Sequence, residues 1–125
     1  MKPDDDEMNP NGLIRILTEL RDLLLEYDYM GHATVVSDLL DLAHLESPKF
    51  VSRLQGGEVW GGAGSLADLG YLGDFTERPE RAVKKASLRY EGLLIMLSDE
   101  MESEGIASSG SKFIGDALRK GQALP

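Results

Sequence analysis

Apolar residues in this chain return mostly at three- and four-residue steps. Leu13, Ile16, Leu17, Leu20, Leu23, Leu24 and Tyr27 form one such stripe, while Arg15, Thr18, Glu19, Asp22 and Glu26 fill the opposite side. That spacing predicts an amphipathic helix with one face in a core. Asn9-Pro10 supplies its start, because Asn caps well and Pro lacks only an N–H that the first turn does not use. Gly31 is expected to break it. A second helix follows, with Ala33, Val36, Leu39, Leu40 and Ala43 inward and Asp38 and Asp41 outward. So short a link predicts antiparallel neighbours.

Ser47-Pro48 repeats the start signal and opens a short helix with Phe50, Val51 and Leu54. Pro79 opens the longest helix, expected to reach Glu104. Its main stripe is Ala82, Val83, Ala86, Tyr90, Leu93, Leu94, Leu97 and Met101. Leu88 and Ile95 add a second stripe. That predicts a central helix packed on two sides, or a stripe that packs across a dimer axis. Gly105 should stop the helix. Ser108-Ser109-Gly110-Ser111 reads as a flexible hinge before a last helix over Ser111–Lys120, ended by Gly121. No alternating strand pattern survives. The expected fold is all-α: a compact bundle of about five to six helices, interrupted by a central Gly-rich loop. Residues 1–8 are expected to be a flexible acidic N-terminus and 9–125 a single helical domain.

The interruption is Gly56–Ser65, where five of ten residues are glycine. Such a segment is not expected to form regular helix. Ser65 has the character of an N-cap, with Asp68 three residues on, for a short helix Leu66–Leu69 ended by Gly70. Residues 70–78 read as irregular. Trp60 should dock on the helices while the glycines turn the chain. Valine at Gly62 or Gly64 would then cost more than about 1 kcal/mol if those positions have positive φ.

Composition narrows the chemistry. The 125 residues are 42% hydrophobic, enough for one core. There is no cysteine, which removes disulfides, thiolate metal sites and thiol nucleophiles and fits a reducing compartment. The start Met1-Lys2-Pro3-Asp4-Asp5-Asp6-Glu7 is unlike a signal peptide, and no apolar run approaches a membrane span. A cytoplasmic location is the expectation. The net charge of −9 repels phosphate backbones and attracts basic proteins. Neither a nucleic acid nor a membrane is therefore an expected partner.

Candidate sites are few. Gly62-Ala63-Gly64-Ser65-Leu66-Ala67 matches G-x-G-x-x-A, but a dinucleotide loop needs a preceding strand and a long following helix, and both are missing. A milder reading keeps the N–H groups of Gly64–Ala67 as an anion nest. Trp60, Gly62, Gly64, Ser65 and Asp68 are thus the candidate partner or anion contacts. Asp41 and His44 form a single Asp-x-x-His, without the second motif that a di-metal bundle needs. No serine lies in a G-x-S-x-G elbow. Catalytic residues, metal ligands and cofactors are all expected to be none.

The long helix carries Arg78, Arg81, Lys84, Lys85 and Arg89 early and Asp99, Glu100, Glu102 and Glu104 late, against the preference of its dipole. Either Glu77 and Glu80 offset part of the basic end and acidic residues of the first helices pair with the rest, or that end contacts another chain or the acidic N-terminus.

Gly61-Gly62-Ala63-Gly64-Ser65-Leu66-Ala67-Asp68-Leu69 resembles a G-G-x-G-S-[apolar]-x-D-[apolar] segment found between helices in a family of small bacterial proteins of unknown function. The resemblance covers mainly residues 55–75, plus the helical pattern on either side. It implies a bacterial cytoplasmic protein and, as a class, is similar to toxin-immunity proteins. The function expected is therefore non-catalytic protein binding, as an immunity-like inhibitor of a basic, nuclease-type toxin. The alternatives are a small-anion or nucleotide-binding protein or enzyme using the Gly61–Ser65 turn, and a structural homo-oligomer, the simplest form being a homodimer.

Overall fold

The computed structural model describes residues 8–123 of the chain. Among these residues the fold is all-α. Its elements are α1 (Asn11–Glu26), α2 (Met30–His44), α3 (Lys49–Leu54), the single turn α4 (Gly57–Trp60), α5 (Glu80–Ser103) and α6 (Ser109–Ala123). The expected acidic N-terminus lies outside the described residues, except for Met8, which packs partly buried against the core.

α1 and α2 form a helical hairpin, α5 lies on α1, and α6 packs on α5. Leu13, Leu17, Leu20 and Leu24 of α1 are fully covered, as are Val36 of α2 and Leu97 and Met101 of α5. Removing each leucine side chain from water contributes roughly 1.5–3 kcal/mol before the entropy of ordering is subtracted.

Gly31 does not break the first helix. It is the second residue of α2, and the turn is made by Asp28 with φ 66°. The N–H of Tyr29 donates to the Leu24 carbonyl at 2.9 Å and that of Asp28 to Leu25 at 3.2 Å. This paired closure, with a left-handed residue after the helix, is the Schellman arrangement. It recurs at Glu46 (φ 53°), where Ser47 N–H meets Leu42 O and Glu46 N–H meets Ala43 O. At Gly105 (φ 76°), Ile106 N–H meets Met101 O and Gly105 N–H meets Glu102 O. Only the third used the glycine that the position favours. Glu46 holds a conformation that costs a non-glycine residue about 1–2 kcal/mol, partly offset by its lower unfolded-state entropy. Glu46→Gly should therefore raise stability by about 0.5–1 kcal/mol, read from the midpoint of urea denaturation; a lower midpoint would contradict it.

The segment over 108–111 is not a hinge. Ser108 Oγ accepts the N–H of Ser111 at 3.0 Å, and Ser111 Oγ accepts the N–H of Ser108 at 2.9 Å. This reciprocal pair is a capping box with serine in place of the usual glutamate. α6 consequently starts two residues earlier than its apolar pattern suggests, and it runs through Gly121. The buried hydroxyl of Ser98 donates to the Ser111 carbonyl at 2.8 Å, tying α5 to this cap.

The reversed charge layout of α5 has a local cause. α5 runs antiparallel to α1, so its basic half meets the acidic end of α1. Arg89 pairs with Glu19, and Arg78 pairs with Glu26 at 3.1 Å while its guanidinium covers the Tyr27 ring at 4.9 Å. The acidic half meets the start of α1, where Glu104 accepts the Asn9 N–H at 2.7 Å and Glu100 lies over Gly12. Negative charge is favourable there because the first N–H groups of a helix point at it. A charge misplaced for α5's own dipole is well placed for α1's.

The second stripe of α5 is not packed on a second side. Leu88 is 55% exposed, and Ile95 is half-buried but stands apart from the core cluster.

Candidate functional site

The Gly-rich corner is built around Trp60. Gly57–Trp60 does form one helical turn, closed by Trp60 N–H to Gly56 O at 3.1 Å and Gly61 N–H to Gly57 O at 2.9 Å. Glycine content prevents a long helix here, yet tertiary packing holds a single turn in place. That turn drives Val59 and Trp60 into the core. The indole N–H donates to the Leu54 carbonyl at 2.9 Å, satisfying the end of α3. Gly110 of α6 packs against the other side of Trp60. Trp60 is buried and presents nothing to a partner.

The chain then folds back along α4. Leu66 N–H donates to Glu58 O at 2.9 Å and Ala67 N–H to Val59 O at 2.8 Å. Ser65 Oγ donates to Gly61 O at 2.7 Å and accepts the Asp68 N–H at 3.2 Å. Asp68 Oδ2 in turn accepts the Gly64 N–H at 3.3 Å. Ser65 thus caps as its sequence position suggests, but Leu66–Leu69 stays a turn and does not become a helix. Tyr90 of α5 closes the corner from beneath, its hydroxyl donating to the Leu66 carbonyl at 2.6 Å. Burial pushes that hydroxyl's pKa far up, so it stays a donor.

These bonds remove the anion-nest reading. The N–H groups of Gly64, Ser65, Leu66 and Ala67 all have acceptors within the chain: Asp68 Oδ2, Gly62 O, Glu58 O and Val59 O. Two carboxylates, Glu58 and Asp68, also stand at the turn, and they would repel an incoming phosphate. The formal G-x-G-x-x-A match is preceded by α4 and followed by a turn, so no helix N-terminus faces a ligand there. Of the five candidate contacts, Trp60 and Ser65 are buried, and Gly62, Gly64 and Asp68 are exposed. Val35 of α2, Gly57, Glu58, Ala63, Gly64 and Ser65 line a shallow depression of about 340 Å³, so α2 and the corner form one continuous surface.

The stretch of chain that builds it is acidic. Between positions 28 and 77 the chain carries Asp28, Asp38, Asp41, Glu46, Glu58, Asp68, Asp74 and Glu77 against only Lys49 and Arg53. Arg53 pairs with Glu58 at 2.9 Å; Asp38, Asp41, Asp68 and Asp74 have no ion pair among the described residues. The solvent face of α2 and its C-cap reads Thr34, Asp38, Asp41 and Leu45, all exposed at helical spacing and without a cation.

Sequence pattern gave no hint of the aromatic island formed by residues 71–75 with the start of α2. The Tyr29 ring meets Phe75 edge-on at 4.9 Å and His32 at 5.8 Å. Tyr29 donates to the Tyr71 carbonyl at 2.9 Å and accepts the Asp74 N–H at 3.3 Å. Burial raises the pKa of the Tyr29 hydroxyl. Tyr71 donates to Glu80 at 3.1 Å, and this bond to a carboxylate raises its pKa. Leu72 anchors the loop, fully buried, with its N–H on Ser87 Oγ. Phe75 remains 62% and Tyr71 45% exposed. Tyr71 and Phe75 lie in an irregular stretch, where no helical period marks which side chains meet.

Among the described residues no three His, Asp or Glu side chains converge on a metal position, and no helix is long and apolar enough to cross a membrane. No family model, curated protein or solved structure matches the chain.

Proposed function

We propose that this protein is a non-catalytic binding module that presents the α2 face and the adjoining Gly-rich corner to a basic protein partner. The observation that carries the reading is charge segregation: eight acidic and two basic residues over positions 28–77, while most cations lie on α1, α5 and α6. Such a face steers a cationic partner and raises its rate of association. Phe75 and Tyr71 are exposed aromatic residues in the loop that carries Asp74 and Glu77, and aromatic residues are enriched among strong interface contacts. The partner we infer is a basic, nuclease-type toxin domain. An acidic face copies the charge of that enzyme's nucleic-acid substrate, and the chain would act as its immunity-like inhibitor in a bacterial cytoplasm. The absence of cysteine supports such a reducing compartment.

The test is co-expression with the products encoded on either side of the coding sequence. A growth-inhibiting product that the chain binds and neutralises supports the reading. Asp38→Lys with Asp41→Lys should then weaken binding by roughly tenfold or more per reversed charge in a close pair. Neutralisation that survives the double reversal would move the interface elsewhere. Finding no bound or neutralised neighbour would overturn the toxin partner.

A further inference from the structure

We infer that the exposed face of α5 is a self-complementary surface, and that a second copy of this chain packs on it antiparallel. At 3.6 residues per turn, Arg81, Lys84, Leu88, Gly92, Ile95, Asp99 and Glu102 fall on one side of α5. That side lies opposite the buried stripe of Val83, Tyr90, Leu94, Leu97 and Met101. It carries cations at one end, apolar groups in the middle and carboxylates at the other end.

Three pairs of these residues share a single midpoint, between Glu91 and Gly92: Leu88 with Ile95, Lys84 with Asp99, and Arg81 with Glu102. That point is also the middle of α5. A two-fold axis through it sets each Leu88 against the partner's Ile95. It sets each Lys84 against the partner's Asp99, and each Arg81 against the partner's Glu102. A two-fold interface needs this kind of self-match, in which residue i meets j and j meets i.

Charge and packing within one chain support the same assignment. Arg78 and Arg89 are taken up by Glu26 and Glu19, whereas Arg81 and Lys84 have no ion pair among the described residues. Asp99 already accepts Arg119 at 2.7 Å, and a carboxylate has lone pairs for a second cation. Gly92 is the second observation. A glycine inside a helix costs roughly 0.5–1 kcal/mol relative to alanine. Among the described residues, no atom outside its own stretch of helix lies within 4 Å of where a Cβ would stand, so packing there does not call for glycine. Beside the axis, it lets two helix backbones approach closely.

One helix pair is a small interface, so association should be weak and concentration-dependent. Sedimentation of the full chain from about 10 to 500 μM should show a monomer–dimer equilibrium. Lys84→Glu alone and Asp99→Lys alone should each give monomers, because each sets like charges across the axis. Mixed together, the two variants should form a heterodimer, because both facing pairs are again opposite in sign. The chain has no cysteine, so Gly92→Cys provides a position-specific reporter. Its oxidation should yield a disulfide-linked dimer, while Thr34→Cys on α2 should not. A wild-type chain that stays monomeric over the whole range overturns the proposal. So does a dimer that Lys84→Glu leaves intact, or failure of the mixed variants to associate. Circular dichroism of each variant checks that the monomer fold is kept.

Discussion

Trp60→Ala should lower the stability of the folded chain by about 3–5 kcal/mol, the range for deleting a large buried aromatic side chain. The indole is 5% exposed and stands where three elements meet. Its N–H closes the carbonyl end of α3 at Leu54, its own turn is α4, and Gly110 of α6 lies against it. Alanine would leave a cavity and a carbonyl without its donor. Trp60→Phe separates the two effects. It keeps most of the volume and loses the hydrogen bond, so a smaller drop of about 1–3 kcal/mol is expected. Urea denaturation followed by helical circular dichroism measures both. A loss below about 1 kcal/mol for alanine would show that the corner is not a packing centre. A domain of this kind has only about 5–15 kcal/mol to lose, so the alanine variant should populate unfolded chain measurably at physiological temperature.

The second large effect is expected at Gly61, and the contrast with its neighbours is the informative part. A Cβ at Gly61 would sit 2.6 Å from the Gly57 carbonyl oxygen and 2.9 Å from its Cα, both backbone atoms of the α4 turn. The turn cannot yield without releasing Trp60. Gly61→Val should therefore cost about 2–3 kcal/mol, as overpacking does. Gly64 has φ +88° and open space around it, so valine there should cost about 1–2 kcal/mol through backbone strain alone. Gly62 has neither a positive φ nor a close neighbour, so Gly62→Val should stay within about 0.5 kcal/mol. The expectation that Gly62 needs glycine for its backbone is corrected by this geometry. Thermal or urea denaturation of the three variants should rank them Gly61, Gly64, Gly62. A different order would mean that the corner is held otherwise than by the α4 turn.

Large apolar residues and the 3.6-residue period made most of the fold legible. The stripes of α1, α2 and α5 are nearly the buried sets observed, because a helix face that must leave water determines its own composition. The Ser-Pro start of α3 and the Gly105 stop were equally readable, because their signals act within a few residues. Local rules failed where a distant part of the chain supplied the missing interaction. Asp28 and Glu46 occupy glycine-like positions because the flanking helices over-determine the turn, so Gly31 misled. The Ser108–Ser111 box looked like a flexible linker because serine stands where a capping box usually has glutamate or glutamine, and the bond from Ser98 that ties it to α5 comes from thirteen residues away.

The Gly-rich corner shows the same division. Its sequence implied a sharp turn, a docked Trp60 and a capping Ser65, and these follow from side-chain size and hydrogen-bonding type. Whether its N–H groups were open to an anion depended on Glu58, Val59 and Asp68 arriving as partners, and only the folded chain brings them there. The sequence by itself determined an all-α chain, its helix order and an excess of negative charge. Tertiary structure decided which charges neutralise one another and which apolar stripe of α5 stays outside. Those outcomes depend on distances between residues far apart in the chain, and a periodic pattern carries no information about such distances.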